Sequence, residues 1–241
     1  MKFAKIAIGS VLGITTVVGA SHSILAATDG VPSVANSDAS ITFLSGTGPS
    51  TPVDPENPTN PLNPTDPNNP TDPSTGNTGP LTLDYVSSVD FGSQQISSST
   101  EVYSSKSKKP FIQVSDFRGT DAGWTVSAKA STFSTDGGTT ASLPGAVLTF
   151  KNGAVITPDV SVAPTPEQTV TLNADGTASS KVVSAKPGTG MFTWLTKWFG
   201  ETPNDENSLN NNVTLTVPAG AASVGNHEAT VTWTLTDAPG Q

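Results

Sequence analysis

The sequence predicts an all-β fold: a β-sandwich-like C-terminal domain with one short amphipathic helix in an insertion, preceded by an extended Pro-rich spacer. Three observations carry this expectation. Aromatic and charged residues make up only 6% and 13% of the 241-residue chain, while Gly, Pro, Ser and Thr are abundant, a balance that suits strands and turns. Beyond residue 80, short apolar alternations recur between turn clusters. Before it, proline recurs at every third position.

Residues 1–27 read as a secretory signal. Lys2 and Lys5 form a positive start, Ile6 to Ala20 is uncharged and largely apolar, and "SILAA" offers small residues for cleavage. The run is shorter than the roughly 20 residues a spanning helix needs, so no membrane insertion is expected after cleavage. The chain has no cysteine, which rules out disulfides, thiolate metal sites and a lipid-modified cysteine. No LPxTG-type sorting signal is present, so an exported protein with no covalent anchor visible is expected.

Residues 28–80 are expected to lack a packed core. Within them "ITFL" at 41–44 is one apolar patch. Prolines then fall at 49, 52, 55, 58, 61, 64, 67, 70 and 73. That period matches the three residues per turn of polyproline II, and predicts a semi-rigid spacer over 49–73, roughly 75 Å long if fully extended. A Gly-rich hinge, "STGNTGP", follows at 74–80.

The folded domain is expected over 81–241. Strands are predicted at "LTLDYV" (81), "FIQVSDF" (111), "GWTVSAKA" (123), "AVLTFK" (146), "TVTL" (169), "SKVVSA" (180), "VTLTV" (213) and "ATVTWTL" (229). Each has β-branched residues and period-2 alternation, and "TDGGTT", "NADGT" and "PAGAA" supply turns. One stretch, "MFTWLTKWFG", breaks the pattern. Met191, Trp194, Leu195, Trp198 and Phe199 recur at helical spacing, with Gly200 as a stop. A helix this short must dock to persist. It docks on its own sheet or presents Met191, Trp194, Trp198 and Phe199 to a partner.

Chemistry is sparsely represented. There are two histidines, His22 in the signal and His227, and no nucleophile elbow of the Gly-x-Ser-x-Gly type. No catalytic residue, metal ligand or cofactor is expected, and the protein is read as a non-enzyme. A net charge of −9 argues against nucleic acid, whose binding rests on basic residues.

Two tryptophan motifs remain. Trp124 and Val126 share one face of a strand, as do Trp233 and Leu235. Both pairs fit core packing, and both fit a surface that stacks on sugar rings. Their surroundings resemble the WxL-domain surface proteins of Gram-positive bacteria. "KKPFIQVSDFRGTDAGWTVSA" at 108–128 is similar to that family's proximal motif and "GNHEATVTWTLTDAP" at 225–239 to its distal one. "GTGMFTWLTKWFG" is similar to its variable insertion. Val126 stands where the family name has Leu, and His227 where the distal motif commonly has Tyr. The resemblance implies noncovalent attachment to the cell surface, with peptidoglycan or another wall polymer as ligand, within a multi-protein complex. It implies WxL-interacting and sortase-anchored surface proteins as companions. An alternative is a structural subunit whose main ligand is such a protein rather than a glycan.

Overall fold

The computed structural model describes residues 34–62, 72–200 and 208–239. The expected signal peptide and spacer residues 63–71 lie outside them. The chain divides into two units, Met1–Thr42 and Phe43–Gln241. In the first, residues 34–42 carry no regular secondary structure. Among the described residues, the second holds every strand.

The fold is all-β and antiparallel, and the described residues contain no helix. Strands run β1 (Leu81–Val86), β2 (Glu101–Ser105), β3 (Phe111–Asp116), β4 (Trp124–Ala130), β5 (Phe133–Ser134), β6 (Ala141–Ser142) and β7 (Val147–Lys151). Then come β8 (Ala154–Ile156), β9 (Thr165–Pro166), β10 (Thr169–Asn173), β11 (Ser180–Ala185), β12 (Phe192–Lys197), β13 (Asn210–Val217) and β14 (Val231–Thr236). Instead of two sheets, they build three of four strands each, β1-β3-β12-β8, β10-β7-β13-β2 and β14-β4-β11-β9, with a β5-β6 ribbon.

All three sheets turn one face to a common core. The first contributes Leu83, Ile112, Val114 and Trp194; the second Leu148, Phe150, Val170, Leu172 and Val213; the third Trp124, Val126, Ala128, Val183 and Ala185. Burial of this apolar surface is the main stabilising term.

The helix expected over 191–200 is instead β12 and the turn after it. Its apolar residues do not form one stripe. Trp194 joins the central core, whereas its neighbour Leu195 points the other way, into a cluster with Tyr85 and Phe111. A strand buried on both faces reads as a continuous apolar run, and in ten residues such a run imitates helical spacing. The β-branched Thr193 and Thr196, both buried, suit the strand.

That second face is covered by the first part of the expected spacer. Residues 51–62 do not run out as an extended stalk. They fold back, with Val53 bridged to Pro61 and Leu62 N–H donating to Pro52 O at 2.9 Å. Val53 and Leu62 pack on Tyr85, Phe111 and Leu195. Gln113, fully buried on β3, clamps the segment: its side-chain oxygen accepts from Val53 N–H at 2.9 Å, and its amide donates to Thr51 O at 3.2 Å. Lys109 pairs with Glu56. Proline period alone could not show this, because the grip on the sheet comes from Thr51, Val53, Glu56 and Leu62, with Pro55 and Pro58 buried beside them.

Beneath this strap lies Asp84, 2% exposed. Its carboxylate accepts hydrogen bonds from Thr82, Gln113 and Ser115 at 2.6, 3.0 and 2.6 Å. Burial pushes its pKa above the ordinary carboxylate value, and the three hydrogen bonds pull it partly back.

Candidate functional site

The two tryptophan motifs, with Trp124 and Trp233 109 residues apart in sequence, are neighbours in space. β4 and β14 pair antiparallel, with Val126 opposite Leu235 and Ala128 opposite Trp233. β11 flanks β4 on its other side, placing Val183 opposite Val126 and Ala185 opposite Trp124. Large side chains thus face small ones across the strands, which lets the indoles lie over the sheet without clash.

Trp124 is 1% exposed and Val126 0%. The Trp124 indole N–H donates to Gly190 O at 2.9 Å, so its one polar atom is satisfied inside the core. Gly190 has φ +79°, and a Cβ there would stand 2.8 Å from the indole nitrogen and 2.5 Å from the Ala185 methyl; only glycine fits. The residue before the tryptophan is equally constrained. Gly123 has φ +82°, and a Cβ would meet Ala185 O at 2.4 Å. Its carbonyl accepts from Arg118, whose guanidinium also grips buried Asp116 at 2.9 and 2.7 Å. This two-pronged pairing closes the loop 117–123 and delivers Trp124 to the core. It also raises the Arg118 pKa, chiefly through its bond to Asp116.

Trp233 and Leu235 are half-buried and rest on the edge of the same core. The Trp233 ring meets Phe150 and Trp198, with centroids 5.8 Å away in each case, and Phe150 and Trp198 are 4.8 Å apart. The insertion tryptophan and the distal motif therefore belong to one aromatic cluster. Trp198 is 1% exposed, Trp194 5% and Phe199 6%; Met191 is half-buried. Trp194 N–H donates to Ser161 Oγ and Met191 O at 3.0 and 2.9 Å. These side chains form no exposed aromatic patch, because β12 is an inner strand and not a helix laid on the surface. The Trp198 indole N–H has no hydrogen-bond partner among the described residues, a cost of about 1–3 kcal/mol.

Two surface openings among the described residues lie near these elements, and Trp233 and Leu235 line the first. A furrow of about 630 Å³ runs between β1 and β14, lined by Gly76 to Thr78, Leu81 to Leu83 and Trp233 to Leu235. A larger cleft of about 840 Å³ lies between residues 88–96 and 222–229. Its floor includes Phe91, Phe133, Leu148 and Leu215, and its walls include Tyr103, Gln94, Gln95, Asn226, His227 and Glu228. A cleft of this size, apolar below with scattered polar groups, has the proportions of a ligand site. Sequence reasoning missed it, since its walls are irregular segments that meet only after the sheets have packed.

His227 is a fastener of this cleft. Its Nδ1 lies 2.8 Å from Ser142 Oγ and its Nε2 2.9 Å from Ser223 O. The carbonyl can only accept, so Nε2 carries the proton and Nδ1 is free to accept from the serine hydroxyl. The ring therefore ties the 222–227 loop to the β5-β6 ribbon. Asp136 and Asp175, each in a turn as the sequence suggests, accept N–H bonds from Thr140 and Thr177, which lowers their pKa values. Among the described residues, no three of His, Cys, Asp or Glu gather as a metal site, and no helix is long and apolar enough to cross a membrane.

A family model described as "WxL domain surface cell wall-binding" matches residues 30–239. The match begins well before β1, so it takes in the segment that straps the first sheet. No curated protein and no solved structure matches the chain.

Proposed function

The chain belongs to the WxL family of cell wall-binding surface domains, and from that premise we propose that it attaches noncovalently to peptidoglycan through the cleft between residues 88–96 and 222–229. The observation that carries this reading is the lining of that cleft. Phe91 and Tyr103 offer aromatic surface, while Gln94, Gln95 and Asn226 offer neutral amides, of which Gln94 uses one donor on Phe91 O and Asn226 one on Glu228. Sugars and peptide stems are bound by that combination, with apolar ring faces against aromatics and hydroxyls and amides against polar side chains. The net charge of −9 favours a neutral glycan over the anionic polymers of a wall, which it would repel.

The domain acts as a holder and not an enzyme. Asp90 and Glu228 both line the cleft, but each makes local structural bonds. Asp90 accepts from Gly92 N–H at 2.8 Å and Glu228 from Asn226 at 2.7 Å. Membership of a multi-protein surface complex, with WxL-interacting and sortase-anchored proteins, is part of the same proposal. Such companions would meet surfaces other than Trp194, Trp198 and Phe199, which are interior.

The test is sedimentation with insoluble peptidoglycan. Gln94→Ala with Asn226→Ala removes two exposed amides without touching the core. If each makes an ordinary hydrogen bond to the polymer, retention falls about 3- to 10-fold per bond. Unchanged retention of the double variant would reject the cleft, and no retention of the parent would reject peptidoglycan. Release of soluble wall fragments would overturn the non-enzyme reading.

A further inference from the structure

The strap over residues 51–62 bonds to itself along its backbone. Leu62 N–H donates to Pro52 O, Asp54 N–H to Asn60 O and Asn60 N–H to Asn57 O, at 2.9, 3.0 and 2.9 Å. Glu56 N–H donates to Asp54 Oδ1 and Thr59 Oγ1 to Asn57 Oδ1. Its β-bridge, Val53 with Pro61, also lies within it, so it is a small hairpin laid on the first sheet and not a further strand of that sheet. Side chains grip it: Gln113 at its backbone, Lys109 at Glu56, and an apolar patch under Val53 and Leu62. Such a unit can lift off whole, keeping its own bonds and leaving every strand pairing of the sheet in place. Segments held in this way open at lower free energy than the core beneath them.

Gln113 joins the strap to a buried acid. The amide that donates to Thr51 O also donates to Asp84 Oδ2 at 3.0 Å. Asp84 keeps its hydrogen bonds from Thr82, Gln113 and Ser115, but among the described residues no ion pair reaches it. The charged groups on the elements around it are held elsewhere. In the strap Glu56 pairs with Lys109, and Asp54 takes Glu56 N–H. Before β1, Asp72 takes Ser88 N–H; at the end of β3, Asp116 holds Arg118. On β12, Lys197 lies over the Phe199 ring and Thr193 N–H goes to Asp159. Lys108 stands in the turn before β3, and the Tyr85 ring stacks on Phe111. An ionised Asp84 under the strap is therefore a buried charge without a counter-charge, which is costly. Burial is the largest influence on its pKa and raises it.

We propose that the 51–62 strap is a pH-gated latch, docked while Asp84 is protonated and lifting off as a unit when Asp84 ionises. The protonated acid is neutral beneath the strap, and its hydroxyl finds an acceptor in Thr82 Oγ1 or Ser115 Oγ, each 2.6 Å away. Lifting the strap returns the carboxylate to water, so the open state releases the proton more readily than the closed one. The latch is therefore firmest below the ordinary carboxylate pKa and loosens as pH rises through the raised closed-state value. An open latch adds about 12 residues to the chain leading into β1, roughly 37 Å at the rise of polyproline II, and uncovers Tyr85, Phe111 and Leu195. The device lies on the first sheet, apart from the wall-binding cleft, and does not depend on what that cleft holds.

Amide hydrogen exchange of the intact protein, corrected for the intrinsic effect of pH on exchange, tests this. Protection of the 51–62 amides should fall as pH rises, by up to about tenfold per pH unit, while the amides of β3 and β12 keep theirs. The fall should level off at the pH where the Asp84 carboxyl carbon titrates by NMR, a measurement that needs no substitution. Asp84→Asn should leave strap protection flat across the same range. Strap protection indifferent to pH overturns the proposal, as does a plateau away from the Asp84 titration. A dependence that survives Asp84→Asn, or a loss of protection shared equally by the strap and β3, overturns it as well.

Discussion

The motif strands β4 and β14 carry nearly the same short pattern, yet they occupy different physical positions. β4 is an inner strand, flanked by β11 and β14, and its Trp124 and Val126 are sealed from water. β14 is an edge, and its Trp233 and Leu235 are half-buried beside a furrow. A tryptophan two residues from a branched aliphatic therefore specifies a shared face and nothing more. The number of neighbouring strands decides whether that face closes completely.

The largest expected effect comes from the closed strand. Trp124→Ala should cost about 3–5 kcal/mol, the usual range for emptying a large buried aromatic site, read from urea unfolding at unchanged slope. Trp233→Ala should cost about 2 kcal/mol, because part of its surface is already wet and its ring contacts with Phe150 and Trp198 are worth about 0.5–1.5 kcal/mol each. Equal losses at the two sites would break the comparison. Val126→Leu restores the residue of the family name but adds a methylene where Val183 and Leu235 already pack. A loss of about 1 kcal/mol is expected, and a gain would mean that β4 is looser than its burial indicates.

The smallest effect concerns the strapped face of the first sheet. The folded pKa of Asp84 lies above its ordinary value of 3.8. The folded state therefore holds this proton more tightly than the unfolded chain. Its contribution to stability is full below 3.8 and is lost as pH rises through the raised folded value. Asp84→Asn should flatten that part of the stability-against-pH curve. An unchanged slope would show that Asp84 is ionised at no cost beneath the strap.

Much of this fold is written locally. β1, β3, β4, β7, β10, β11, β13 and β14 all lie where the sequence places them, because alternation marks the half-buried strands, β-branched residues mark the fully buried β3, and a hairpin needs Gly, Asn or Asp. The segments that misled are those whose surroundings differ from that rule. β12 is covered on both faces, so its apolar residues follow no single period. Residues 51–62 look like a free polyproline run, yet Val53 and Leu62 find Tyr85, Phe111 and Leu195 waiting on the outer face of the first sheet. β2 is an edge strand with few apolar residues, and carries little periodic signal.

What the sequence by itself determined was the class of fold, the positions of most strands, and family membership through two motifs. Those depend on neighbours within a few residues and on a recognisable text. Only tertiary structure decided that the two motifs are paired strands, that three of the four tryptophans are interior while Trp233 sits at an edge, and that a ligand-sized cleft lies elsewhere. Burial is a property of what packs on top, and for β4, β12 and the 51–62 strap the covering residues come from distant parts of the chain.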